Sequence, residues 1–188
     1  MKKIIIMMLL FSPICLCNRA SAMPAFGHFG IDVSLLTGFG YSYYSGTPIS
    51  GVSMGGRIAY HLNPSWEAGI SYSTYPINPG YTGANTAFTF ILGDINYHLS
   101  GALHPLYIGA LLGIGMYNTT AVIGLSNNSQ YTYTSSSISA FTAGGRVGYD
   151  FDIGYGLSIG PEARFSITFG TPSPTTNMQA SGVVRYSF

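Results

Sequence analysis

The stretch from Leu157 to Phe169 reads Leu-Ser-Ile-Gly-Pro-Glu-Ala-Arg-Phe-Ser-Ile-Thr-Phe. Successive residues of an extended strand point to opposite faces. Leu157, Ile159, Ala163, Phe165, Ile167 and Phe169 therefore share one face, and Ser158, Glu162, Arg164, Ser166 and Thr168 share the other. The last run of the chain repeats this, with Val184, Tyr186 and Phe188 set against Gln179, Ser181, Arg185 and Ser187. One face tolerates hydrocarbon and the other does not, which is the two-residue period of a strand that spans a membrane in a closed sheet.

Working outward from these two runs, six more have the same character: 28–39, 51–62, 66–75, 87–99, 106–117 and 138–151, before 157–169 and 178–188. Each is near or above the roughly 9–11 residues that a tilted spanning strand requires. The connectors alternate in length. Those at 40–50, 76–86, 118–137 and 170–177 are long and built from Tyr, Ser, Thr, Asn, Gly and Pro, whereas 63–65, 100–105 and 152–156 are short, with turn formers in Asn63-Pro64-Ser65 and Asp152-Ile153-Gly154. The reading is an all-β chain, an eight-stranded antiparallel up-and-down transmembrane β-barrel, with short turns and both termini on the periplasmic side and long loops outside.

Carried through all eight runs, the parity places Asp32, Arg57, Glu67, Asp94, Arg146, Asp150, Glu162, Arg164 and Arg185 on the inward face. Of the charges after residue 22, only Asp152 falls in a turn. An arginine facing lipid near the midplane costs on the order of 2–4 kcal/mol, so the segregation is what a spanning barrel demands. Outward aromatics gather near the strand ends: Phe29, Tyr60, Trp66, Tyr97, Tyr149 and Phe188 at the short turns, Phe39, Tyr72, Phe141 and Phe169 at the long loops. They read as two interfacial girdles.

Residues 1–22 form a separate unit. Lys2 and Lys3 precede an apolar run from Ile4 to Phe11, and Ala20-Ser21-Ala22 matches a signal-peptidase site, so 1–22 is expected to be a cleaved signal peptide and 23–188 the barrel. Both cysteines, Cys15 and Cys17, lie in that leader, which leaves neither a disulfide nor a thiolate metal site beyond it. Only 7% of the chain is charged, where a soluble domain has about 25%. Four arginines and six acids remain after residue 22, which gives no footprint for nucleic acid.

The export signal, the eight alternating runs and the ending Gly182-Val183-Val184-Arg185-Tyr186-Ser187-Phe188 resemble the small outer-membrane β-barrel family, akin to the membrane domain of OmpA. The resemblance implies residence in the outer membrane of a Gram-negative bacterium, lipid as the surrounding partner, and recognition of Val184, Tyr186 and Phe188 by the barrel-assembly machinery during insertion. It does not fix a function, because many functions share the fold.

The inward charges lie mostly near the short turns, so four arginines and five acids should meet in one half of a bore that side chains alone can fill. Two readings follow: a paired network that plugs the lumen, or a charged constriction that conducts ions as a narrow porin. Leu36, Phe88, Phe90, Leu92 and Leu111 fall inward in the other half, as core filling or as a cup for a small hydrophobic molecule. Gly109, Gly113, Gly115, Gly144 and Gly148 thin the wall and suit either. His61 and His98 also face inward, but no ligand spacing spells out a metal site, and no cofactor is expected. His98-Leu99-Ser100 lacks the His-x-Ser-Asn pattern of the lipid A deacylases that share this fold, and no catalytic residue is assigned. The long connector 118–137, rich in Tyr, Ser and Asn, is either a solvated loop or a contact surface for a ligand outside the cell.

Overall fold

The computed structural model describes residues 30–44, 47–77, 85–99, 105–125, 131–170 and 174–188. The expected leader 1–22 and Phe29 lie outside them. Nine strands are present: β1 Ile31–Tyr44, β2 Thr47–Asn63, β3 Trp66–Ile77, β4 Asn85–His98, β5 Leu106–Leu125, β6 Tyr131–Tyr149, β7 Phe151–Gly154, β8 Leu157–Thr168 and β9 Thr175–Ser187. The four-residue β7 is the end of the same wall as β6. Both pair antiparallel with β8 in one register, from Gly148↔Glu162 to Phe151↔Ile159. The interruption falls opposite Gly160-Pro161, where proline has no N–H to donate. The wall is thus eight-stranded, as the sequence predicts.

Each strand pairs with its sequence neighbour, and β1 pairs with β9, so the sheet closes without an edge. Hydrocarbon offers no partner to a free edge, and closure removes it. The register also fixes the stagger. Followed through paired residues, Asp32 meets Ala59, Gly69, Asp94, Leu111, Gly144, Ser166 and Asn177 in turn, and Asn177 meets Ser42, ten residues above the start. Eight strands with that shear tilt by about 40° to the axis.

The alternation holds along the walls. From Ile31 to Leu36, odd residues are exposed and even ones buried, and from Pro161 to Ser166 the same strict order returns. Val33, Leu35, Ile58, Ile70, Leu112, Ile114 and Phe165 face out. Two short turns have visible causes. Asn63 Oδ1 accepts from the N–H groups of Ser65 and Trp66, both at 2.9 Å. The last short turn is carried by Gly154, Tyr155 and Gly156, all at positive φ, with Asp152 Oδ1 accepting from Gly154 N at 2.7 Å. Positive φ at two central residues suits a tight hairpin.

Two expectations need correction. Asp152-Ile153-Gly154 belongs to strand β7 rather than to the turn, because the glycine pair around Tyr155 makes the reversal. The connectors 40–50 and 118–137 are largely strand: β1 and β2 pair up to Tyr44↔Thr47, and β5 and β6 up to Leu125↔Tyr131. Tyr, Thr, Val and Ile favour extended backbone even where their polarity suggests a loop. The 20 residues of β5 and 19 of β6 far exceed a spanning length. Along β6 every residue from Ser135 to Ser139 is exposed, so over that stretch the strand stands clear of the barrel with both faces open.

Candidate functional site

The lumen is built in two storeys. In the storey near the short turns, Arg57 of β2 reaches across β3 to Asp94 of β4, with Nη2 at 2.6 Å and Nε at 3.0 and 3.1 Å from its oxygens, and its Nη1 pairs with Glu67 of β3. Arg146 of β6 enters from the opposite wall. Its Nη2 lies 2.8 Å from Asp94, its Nη1 3.5 Å from Glu162, and its Nε donates to Asn96 Oδ1 at 2.6 Å. Arg164 pairs with Glu162, the cross-strand ladder having placed Arg146 and Arg164 side by side with that acid two residues away. Arg185 of β9 contacts Asp150 at 2.7 Å, Glu67 at 3.5 Å and Asp32 at 3.9 Å.

All nine predicted charges therefore meet in one connected group, and eight of them are buried, with Asp150 partly so. The ten-residue shear explains why. It brings residues of distant strands to one height across the bore, so Arg57, Arg146 and Arg185 each find acids from more than one strand. Buried charges persist only when paired and hydrogen-bonded.

Several uncharged members join the group. Tyr107, fully buried, donates to Glu162 at 2.7 Å, and its ring takes the guanidinium groups of Arg146 and Arg185 at 5.7 and 5.2 Å. Its room comes from Gly148, where an added Cβ would stand 2.2 Å from the Tyr107 hydroxyl. Asn96 donates to Glu67 at 3.2 Å. The inward parity of β4 and β5 contains both residues, but being uncharged they carry no signal in the sequence that sets them apart from other inward residues.

His61 and His98 stand at the short-turn mouth. His61 Nε2 is 2.8 Å from Asp32 and 3.9 Å from Glu67; His98 Nε2 is 2.9 Å from Glu67. The sequence spacing hides this grouping because the three residues sit on β2, β3 and β4: His61 faces Glu67 directly across one ladder, and Glu67 faces Asn96, two residues from His98, across the next. His98 is thus occupied by a carboxylate; Ser100 lies outside the described residues.

The other storey is apolar and hydroxylic. Tyr75, Phe88, Phe90, Leu92 and Leu111 form one buried cluster, with the Tyr75 and Phe88 rings stacked at 5.4 Å. Leu36 is also buried. Around them Ser42, Tyr75 and Asn177 share hydrogen bonds, Asn177 donates to Thr168 at 3.1 Å, and Thr142 pairs with Thr168 at 2.9 Å. A cavity beside the cluster, lined by Phe88, Gly115, Tyr117 and Thr168 among others, has a volume of about 10 Å³, the room of a single water.

Outside, the aromatics cluster in pairs near the ends: Trp66–Tyr97 at 5.0 Å and Tyr186–Phe188 at 4.8 Å by the short turns, Phe141–Phe169 at 6.1 Å at the other rim. A closed eight-stranded antiparallel wall, apolar outside and charged within, is a transmembrane β-barrel.

Solved structures carry the same fold. Neisserial surface protein A superposes with a TM-score of 0.64 at 12% identity, covering 84% of this chain and 97% of that one. Ail, the attachment invasion locus protein of Yersinia pestis, gives 0.57 at 11% identity over 84% and 97%, and its complex with the heparin analogue sucrose octasulfate gives 0.56 at 15% identity over 85% and 100%. No family model matches the sequence, and no curated protein sequence matches it.

Proposed function

We propose that this chain is a non-enzymatic barrel of a Gram-negative outer membrane, with its lumen plugged and its role structural or one of surface contact. The observation that carries the reading is the division of labour along the axis. Four arginines and their acids pair across the bore at one end, a buried cluster of Tyr75, Phe88, Phe90, Leu92 and Leu111 occupies the other, and the β5–β6 ribbon rises beyond both. The short turns and the C-terminus face the periplasm, and the ribbon faces outward. Val184, Tyr186 and Phe188 on the lipid face of β9 serve as the assembly signal, and lipid is the standing partner.

Surface contact is favoured over a bare anchor by the length of the ribbon and by its composition of Tyr, Ser, Thr and Asn. Ail carries attachment in its name, but the sulfated ligand bound to it is no guide here, since the connectors 40–50, 76–86, 118–137 and 170–177 hold no charged residue. Contact through this ribbon rests on aromatic stacking and neutral hydrogen bonds. Deleting residues 119–136 should abolish attachment or aggregation that the full protein confers on cells lacking other adhesins, with the barrel still heat-modifiable on gels. Attachment that survives the deletion, or that the full protein never confers, defeats the contact role. The runner-up, a narrow pore or hydrophobic channel, needs a path through the storey of Arg57, Arg146 and Arg164.

A further inference from the structure

At the short-turn mouth, one ligating atom from each of His61, Glu67 and His98 lies within 4.8 Å of the other two. In a tetrahedral site with bonds of about 2.0–2.1 Å, neighbouring ligand atoms stand roughly 3.3 Å apart. Glu67 Oε2 is 2.9 Å from His98 Nε2 and 3.9 Å from His61 Nε2, separations that bracket that value. Arg57 and Asn96 both engage Oε1, so Oε2 faces the two imidazoles, with Arg185 Nη1 also 3.5 Å from it.

A second observation lies beside the first. Asp32 is fully buried, its Oδ2 is 2.8 Å from His61 Nε2, and its Oδ1 has no hydrogen-bond partner among the described residues. A buried carboxylate oxygen without a partner is costly unless something else satisfies it. The imidazoles are the accessible side: the His61 side chain is 26% exposed and that of His98 13%, so an ion reaching the mouth meets them first. Arg185 keeps its shortest contact, 2.7 Å, with Asp150 and stays 3.5 Å from Glu67 and 3.9 Å from Asp32.

We propose that this mouth binds a divalent first-row transition-metal ion of the zinc class through His61, Glu67 and His98, with Asp32 beside the open fourth position. Two neutral imidazoles and a carboxylate are the donor set that such ions prefer over calcium or magnesium. Coordination exchanges two imidazole–carboxylate hydrogen bonds for bonds to one ion. It ties β2, β3 and β4 together at the mouth, so the ion stabilises the folded barrel by mass action.

The test uses the protein purified in detergent, stripped of metal and titrated with cobalt(II), whose visible ligand-field absorption reports nitrogen and oxygen ligation. One equivalent should bind and be displaced by zinc. His61→Gln and His98→Gln should each weaken binding at least 10–100-fold, the loss that even supporting residues of a metal site produce. His28→Gln with His104→Gln should leave it unchanged, and heat-modifiable migration verifies the fold of each variant. If neither mouth variant folds, the wild type still decides, because saturating zinc should raise its unfolding temperature. No cobalt spectrum, no zinc-dependent rise, binding that survives loss of both mouth histidines, or binding lost with His28 and His104 would overturn the proposal.

Discussion

Replacing Arg146 by alanine probes the lumen where most contacts converge. Its side chain is fully buried, with Asp94 at 2.8 Å, Asn96 Oδ1 at 2.6 Å, Glu162 at 3.5 Å and the Tyr107 ring beneath it. Breaking a buried ion pair by removing one partner costs about 3–5 kcal/mol. Here both acids keep a second cation, Asp94 from Arg57 at 2.6 Å and Glu162 from Arg164, which sets the loss at the lower end of that range. The Asn96 oxygen loses its donor as well, adding about 1 kcal/mol, so about 3–4 kcal/mol is expected. The assay is urea unfolding of the protein refolded in phosphocholine vesicles, followed through the fluorescence of Trp66, the single tryptophan of the chain. Arg146→Met, which keeps most of the volume, should recover no more than about 1 kcal/mol, since the lost term is mainly charge. A loss below about 0.5 kcal/mol for Arg146→Ala, the range of ordinary surface substitutions, would refute a network in which the charges depend on one another.

Other expectations follow from the same wall. Gly148→Ala drives a methyl into the Tyr107 ring, which is fully buried and has no room to swing away; a loss of about 1–3 kcal/mol in the same unfolding assay is expected. Phe188→Ala removes an exposed ring that packs edge-on against Tyr186. It should leave in vitro stability within about 1 kcal/mol while reducing the amount assembled in cells, as measured by heat-modifiable migration of whole membranes; unchanged assembly would argue against a terminal signal.

The fold was legible because lipid enforces a rule with a period of two. Leu157 to Phe169 shows it without ambiguity, and one parity then places Asp32, Arg57 and Asp94 on the inner face of strands far apart in sequence. Pairing was not legible. Whether Arg146 meets Asp94 or Asp150 depends on the stagger between walls, and a shift in the intervening registers would exchange such cross-strand partners. Uncharged members such as Tyr107 and Asn96 escaped notice for a related reason: inward parity marks them, but only the assembled bore shows that they join the charges. The grouping of His61, Glu67 and His98 is a product of two ladders and has no linear spacing. In the sequence the ribbon reads as loop because its polarity is that of a loop, whereas Tyr131, Thr132 and Tyr133 extend the ladder of β6.

The most direct test of the central claim is single-channel recording of the purified protein in a planar bilayer. A bore filled by Arg57, Arg146, Arg164 and their acids at one end and by Tyr75, Phe88 and Phe90 at the other predicts silence at moderate voltage. Steady channels whose size or ion selectivity changes when Arg57 or Arg164 is replaced would contradict it and make the barrel a small porin.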